Sequence, residues 1–434
     1  LAGNYVPDGA EPLAMAYAGH QFGGFVPQLG DGRAILLGEI IDRNGARQDI
    51  HLKGAGRTPY SRGGDGRAPL GPVLREYIVS SFMNMLNIPT TRSLAVATTG
   101  EEVYREDVLP GAILTRVAQS HLRIGTFEYF AVRRDIEALE ILTNFAIERH
   151  FPEFLGDPHP AKKLLEGVLR RQSTLVAKWI SVGFVHGVMN TDNTSIAGET
   201  IDYGPCAFID TYRADKVFSS IDHAGRYAFM NQPDIVQWNL TQLAQCLLPL
   251  IDEQTERAVS IAKDIISRFP KIFAEDLGRE FSHKLGLACE PSAALHIAFE
   301  LLKLMSDHSA DFTLTFRHLA DAVLDDEATG MFMQQFDQPA AVRDWLNQWR
   351  SRITLENGAL VTAQQKLLAA NPAIVARNHL VEEVIRYAED HGDFAPFHKL
   401  IAELEDPFTE RSEQSKYARP ASPTEEVKMT FCGT

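Results

Sequence analysis

His186-Gly187-Val188-Met189-Asn190-Thr191-Asp192-Asn193 is a polar run set between helical stretches, and Ile201-Asp202-Tyr203-Gly204 closes it. Before it, Leu164, Val168, Leu175, Val176 and Trp179 recur at helical spacing and lead into Phe184-Val185. Taken alone, Asn190–Asn193 is an Asx-rich turn that needs no function. Asn193 and Asp202, however, offer oxygen ligands suited to a hard cation that also bridges phosphates. Asp192 is either a turn-former or helix cap, or a proton acceptor beside that cation.

Upstream, the chain predicts strands. Arg33–Ile41 is an apolar run ended by Arg43-Asn44-Gly45, and Asp49-Ile50-His51-Leu52-Lys53 follows at hairpin distance. A Gly- and Arg-rich loop, Gly54 to Gly71, leads to a helix near Val73–Leu86 with Glu76 in its first turn. Shorter strands are expected at Ser93–Ala97 and Gly111–Val117, with Thr99-Gly100 and Pro110-Gly111 as turns. A strand lysine followed by a helix glutamate, and then by a His…Asn loop and an Asp-aromatic-Gly, is the order in which a protein kinase sets out its phosphate and metal groups. Lys53, Glu76, His186, Asn193 and Asp202 occupy those places in sequence. Val188 stands where a kinase keeps its catalytic Asp and cannot accept a proton, which leaves Asp192 as the substitute. Singly, Lys53 with Glu76 reads as a solvated surface pair, and Arg116 and Arg123 as surface arginines. Together they suit an anionic ligand, as do the glycines of Gly30-Asp31-Gly32-Arg33 and Gly63-Gly64-Asp65-Gly66-Arg67, where backbone can approach closely.

Downstream, the pattern is helical. Ile136, Leu139, Leu142 and Phe145 mark one helix; beyond Gln232-Pro233, Leu240, Leu243, Leu247 and Leu250 share a face, as do Ile297, Leu301, Leu304 and Met305. The 434 residues carry a formal charge of −15, which gives no sign of a general nucleic-acid footprint. No apolar run is long enough to cross a bilayer. Leu1-Ala2-Gly3-Asn4 shows neither an initiator Met nor a signal pattern, so the native start is expected upstream. Cys206, Cys246, Cys289 and Cys432 are scattered, which fits a reducing cytoplasm better than a disulfide framework or a zinc site. There is no Gly-Lys dipeptide for a Walker A loop, no His-Glu-x-x-His helix and no Gly-x-Ser-x-Gly elbow.

Longer stretches carry a resemblance. Tyr17-Ala18-Gly19-His20-Gln21-Phe22-Gly23, Gln28–Arg33, Leu52–Arg62, Asp65–Ala68, Leu74–Tyr77, His186–Asn193, Asp202–Pro205, Asn371-Pro372 and Arg377-Asn378 together resemble the selenoprotein O (YdiU) family of AMP-transferring pseudokinases, over essentially the whole chain. The resemblance implies an α+β, protein-kinase-like two-lobed fold with a strand-rich N-lobe, a large helical C-lobe and a C-terminal helical extension. It implies transfer of AMP from ATP to protein hydroxyl groups, with ATP turned around relative to kinases and pyrophosphate leaving. Lys53, Arg116 and Arg123 would contact phosphates and Glu76 would orient Lys53. Gly30, Gly32, Arg33, Asp65, Gly66 and Asp202 would also line the nucleotide site. Asn193 and Asp202 would hold Mg²⁺ or Mn²⁺, and Asp192 would be the proton acceptor. Some members carry selenocysteine near the C-terminus, where this chain has Phe431-Cys432-Gly433-Thr434; a regulatory disulfide would then join Cys432 to a partner, with Cys206 the first candidate.

The expected division is an N-lobe at 1–125, a C-lobe with the catalytic and metal loops at 126–252, a helical extension at 253–405 and a tail at 406–434. Two rival readings stay open: an atypical kinase that transfers the γ-phosphate, and a nucleotide-sensing scaffold without catalysis.

Overall fold

A computed structural model describes residues 1–324, 329–357, 360–409 and 415–430. A strand-rich N-terminal part gives way to a helical remainder. The first element is a small antiparallel hairpin, β1 (Gly19–Gln21) and β2 (Gly24–Val26), where the sequence pattern predicts no strand. The main sheet comprises β3 (Ala34–Ile41), β4 (Arg47–Lys53), β5 (Ala68–Pro69), β6 (Arg92–Tyr104) and β7 (Val108–Ala118), with helix α1 (Leu70–Met85) between β5 and β6. Its order is β3-β4-β7-β5, β6 also pairs with β7, and every pairing is antiparallel.

Three expectations need correction. Thr99-Gly100 and Pro110-Gly111 lie inside β6 and β7, because the two strands run on past a register shift between Thr98 and Glu102 instead of stopping at the Gly and Pro. Glu76 lies in the second turn of α1, since the helix begins three residues earlier than the apolar period suggests.

Register decides which side chains meet. His51 stands opposite Arg116, and Lys53 opposite Leu114. Side chains alternate along a strand, so His51, Lys53 and Arg116 share one face of the sheet. Helix α1 packs on β6 and β7, and burial of Val73, Leu74, Ile78, Val79 and Phe82 fixes its rotation so that Glu76 also turns inward.

Next come α2 (Ile124–Val132), which the sequence pattern does not mark, α3 (Ile136–His150) and α4 (Pro160–Ser181). Asp135 caps α3 by accepting from the Ala138 amide, a local device typically worth about 1 kcal/mol. Two short strands follow, β8 (Phe184–Val185) and β9 (Ala207–Phe208), paired antiparallel. Their pairing matters for the site: it brings together the loops that leave β8 and enter β9. The remainder is helical: α5 (Gln232–Ile251), α6 (Thr255–Ser267), α7 (Phe269–Lys284), α8 (Pro291–Asp307), α9 (Phe312–Ala322), α10 (Gly330–Met333), α11 (Pro339–Asn357), α12 (Leu360–Ala370), α13 (Asn378–His391) and α14 (Ala395–Leu404). The buried apolar residues form one continuous core from α1 through α4 and α5 to α13 and α14. Arg377, fully buried, donates to Asp311 at 2.8 Å and to Asp210, which fastens the last helices to the segment after β9. No helix among the described residues is long and apolar enough to cross a membrane.

Candidate active site

A cleft of about 760 Å³ lies between the inner face of the sheet and the loops around β8 and β9. Lys53 reaches into it from the end of β4, and its Nζ donates to Glu76 Oε2 at 2.6 Å. Arg116 Nε donates to the other oxygen of Glu76 at 2.7 Å. Neither arginine behaves as a surface residue. Arg116 and Arg123 are 1% and 4% exposed, and Glu76 is fully buried, so the surface readings of these residues taken singly are overturned. Strand alternation and the rotation of α1 turn them inward.

Asp202 is where the cluster converges. Arg116 Nη2 donates to its Oδ1 at 2.9 Å and Arg123 Nη1 to its Oδ2 at 2.8 Å. Burial alone would raise the Asp202 carboxyl; Arg123, Arg116 and Lys53 together hold it well below the usual carboxylate range, so it stays ionised. Its backbone sits at φ +63°, a costly conformation for a residue other than glycine. His186 helps hold it there, since its Nε2 lies 2.8 Å from the Ile201 carbonyl.

Asn190–Asn193 forms the opposite wall, with Thr191–Asn193 as a single 3₁₀ turn. Asn193 donates through Nδ2 to the Val188 carbonyl at 3.0 Å, which commits its amide nitrogen. Asp192 is 6% exposed, and its Oδ1 has no hydrogen-bond partner. Burial pushes its carboxyl up to about 6, against the opposing influence of Gln21 and Arg123. A carboxylate with that poise is mostly ionised at neutral pH and can still accept a proton. Val188 also lines the cleft and has no proton-accepting group.

Gly30, Gly32, Arg33, Asp65 and Gly66 lie along the upper rim. Their glycines have a structural reason beyond approach to a ligand. A Cβ on Gly30 would stand 2.4 Å from the Tyr60 ring, and one on Gly66, at φ +70°, 2.1 Å from the Gly56 carbonyl oxygen. Gly30 lets its loop pack directly on the Gly54–Gly71 loop, and Gly66 lets that second loop close on itself. Arg105 clasps Asp65 with bonds of 2.9 and 3.0 Å and lowers its carboxyl to about 2. All twelve residues singled out in the sequence therefore gather at one place, with Glu76 behind Lys53.

The sequence pattern missed the floor of the site. Gln21 donates through Nε2 to Asp192 Oδ2 at 3.2 Å. The His20 amide donates to Thr191 Oγ1 at 2.7 Å, and the Phe22 amide to Asn190 Oδ1 at 3.1 Å. Thr191 in turn donates to Glu128 Oε2 at 2.6 Å. The signal was the aperiodic run Gly19-His20-Gln21-Phe22-Gly23, dense in hydrogen-bonding and turn residues yet not loop-like in composition. A second cavity of about 330 Å³, lined by Leu37, Leu52 and Ile113 among others, contains none of these groups.

Asp202 and Asn193 offer the oxygen donors that a hard cation takes, although both Asp202 oxygens here accept from arginines. Among the described residues no group of three or more His, Cys, Asp or Glu could hold a metal by itself, so such a cation would need phosphate and water oxygens to complete its shell. Cys432 lies outside the described residues. Its suggested partner Cys206 is fully buried, and burial pushes that thiol up to about 12, the reverse of an activated cysteine.

A buried cluster of Lys, Arg and Asp faces an open cleft, with a carboxylate raised by burial across it, an arrangement suited to an anionic ligand. The family described as protein adenylyltransferase SelO matches residues 3–405, and the chain belongs to that family. It is an enzyme, a nucleotidyltransferase. It is 55% identical to the protein nucleotidyltransferase YdiU of Rhodopseudomonas palustris (strain BisB5), over all of this chain and 88% of the relative. It is also 55% identical to the protein of the same name from Bradyrhizobium diazoefficiens, again over all of this chain and 88% of the relative, and 53% identical to that from Nitrobacter hamburgensis, over 86% of the relative.

Proposed function

We propose that the cleft binds ATP in a protein-kinase-like arrangement, with residues 1–125 and 126–252 as its two lobes, 253–405 as a helical extension and 406–434 as a tail. The enzyme attaches AMP to Ser, Thr or Tyr hydroxyls of other proteins. Convergence at Asp202 carries this proposal: two buried arginines on one carboxylate, with Lys53 and Glu76 behind, form a preorganised cradle for a triphosphate. Asp202 and Asn193 would hold Mg²⁺ or Mn²⁺, which supplies charge neutralisation of the phosphates. Gly30, Gly32, Arg33, Asp65 and Gly66 line the same nucleotide. The acceptor oxygen attacks the α-phosphorus, the bond from that phosphorus to the bridging oxygen breaks, and pyrophosphate leaves towards Lys53, Arg116 and Arg123. The hydroxyl proton passes to Asp192. Val188 argues against γ-transfer in the usual kinase orientation, because no base stands there. The names of the relatives support protein acceptors over nucleic acid, as does the net charge of −15. A cytoplasmic setting fits the scattered cysteines.

Paired labelling tests the proposal. Incubation with α-labelled ATP should mark the protein acceptor and release pyrophosphate, and γ-labelled ATP should leave it unmarked. Asp192→Ala should slow transfer by about 10²–10⁴-fold with little change in nucleotide affinity. Label arriving from the γ position would make the enzyme a kinase.

A further inference from the structure

Arg75 stands beside Glu76 on α1, is 3% exposed and points away from the cleft. Its guanidinium ties together three separate segments. Nη1 donates to Asn378 Oδ1 at 2.8 Å and to the Cys206 carbonyl at 3.3 Å, and Nη2 pairs with Glu382. Asn378 and Glu382 belong to α13, whereas Cys206 ends the loop that supplies Asp202. The same helices hold α1 at two further points. Glu389 accepts from the Gly71 amide at 2.8 Å, in the first turn of α1 where backbone donors lack helical partners. Tyr77 packs against Phe397 of α14 with ring centroids 5.6 Å apart.

These contacts close a ring. Arg116 bridges Glu76 of α1 to Asp202 on the inner side, and Arg75 bridges α1 to Cys206 of the same loop on the outer side. The separation of α1 from the Asp202 loop is therefore set twice, once within the cleft and once from the C-terminal helices. A guanidinium offers its donors in a rigid planar fork, so fixing Arg75 to α13 also fixes the rotation of the turn that carries Glu76.

We infer that Arg75, anchored by Asn378 and Glu382, is a positioning residue for the reaction, through which α13 and α14 hold Glu76 and the Asp202 loop at the spacing that grips the nucleotide. This rests on the nucleotide site proposed above. The C-terminal helices thereby become a working part of the active centre.

The test is a mutant cycle on the full chain. Glu382→Gln and Asn378→Ala are made alone and together with Glu76→Gln; Glu382 is partly exposed and glutamine keeps an acceptor oxygen for Arg75, and the melting temperature reports whether each variant folds. Affinity for Mg-ATP is measured by calorimetry, kcat and KM by label transfer, and stability by thermal melting. Either single change should lower kcat/KM for ATP about tenfold and weaken ATP binding, whereas adding it to Glu76→Gln should cost less than about twofold more. Two results would overturn the inference: ATP affinity and kcat/KM within about twofold of the parent while the melting temperature falls, or losses that multiply fully with Glu76→Gln. The outcome stays separate from the AMP-transfer proposal. If the label comes from the γ position, that proposal fails, and the cycle is still decided on ATP affinity alone.

Discussion

Glu76 serves two cations at once, and this sets what substitution at each member of the cluster should do. Lys53→Ala leaves Glu76 paired with Arg116, so no buried charge is stranded and the fold should hold. Glu76→Gln leaves Arg116 with Asp202 but takes the paired carboxylate from Lys53. Since both changes act on one grip, the double mutant should lose much less kcat/KM than the two single losses multiplied together; fully multiplicative losses would show that Lys53 and Glu76 work independently. Asp202→Ala should behave differently. Arg116 keeps Glu76, but buried Arg123 is left with the neutral Asp192 carbonyl, so the melting temperature should also fall. Turnover should fall on the order of a hundredfold or more, and the Mg-dependent part of ATP binding should disappear from calorimetry. Unchanged Mg-ATP binding in Asp202→Ala would remove Asp202 as a cation ligand.

The hairpin β1–β2 is the element with the most local leverage on the Asn190–Asn193 loop. A Cβ at Gly19 would stand 2.4 Å from Asp192 Oδ1, the oxygen left without a partner. Gly19 does not have a positive φ, so alanine there meets a contact and no backbone strain. The added Cβ would also stand 2.9 Å from Asp192 Cβ and Cγ, so turning the carboxylate does not relieve the contact and the turn that carries Asp192 must shift. Gly19→Ala should therefore lower the melting temperature modestly, displace the Asp192 carboxylate and lower kcat about a hundredfold, the usual effect of a shift near 1 Å. ATP affinity should survive, because Lys53, Arg116 and Arg123 stand on other elements. Parent-like kcat in Gly19→Ala would argue that Asp192 is not the proton acceptor.

Across the whole molecule, two buried histidines predict an acid-labile fold. His121 and His150 are 1% and 3% exposed, and burial lowers each to about 3. For His121, stacking on His51 and the nearby Arg116 push the same way, against Asp49, whose carboxylate accepts from its Nδ1 at 3.0 Å. For His150, Arg171 and Arg149 lower it further. A histidine depressed in the folded state binds its proton mainly when unfolded. Its contribution is present above the unfolded value near 6.5 and is lost as pH falls towards 3. Between pH 7 and pH 5 each should remove on the order of 2 kcal/mol. Melting curves at the two pH values should show a marked drop for the parent and a smaller one for His150→Asn. Equal drops would show that His150 does not bind a proton on unfolding.

Sequence alone determined the chemistry carried by contiguous residues and by periodicity. The polar run from His186 with Asp202 beyond it, the helical faces of α4, α5 and α8, and the strand ending in Lys53 were all legible, because each is set by neighbours within a turn or a pleat. Tertiary structure alone decided the rest. Whether Arg116 and Arg123 are surface residues or the jaws around Asp202 depends on sheet register and on the start of α2, and neither leaves a periodic signal. The glycines at 30 and 66 could be read as openings for a ligand, but the distances to Tyr60 and Gly56 show that the first lets two loops pack together and the second lets one loop close on itself. Gln21 and Arg75 stood in stretches that carried the resemblance, but their roles did not show there, because their partners lie far away in sequence and a hydrogen bond across such a separation exists only once the whole core has brought its ends together.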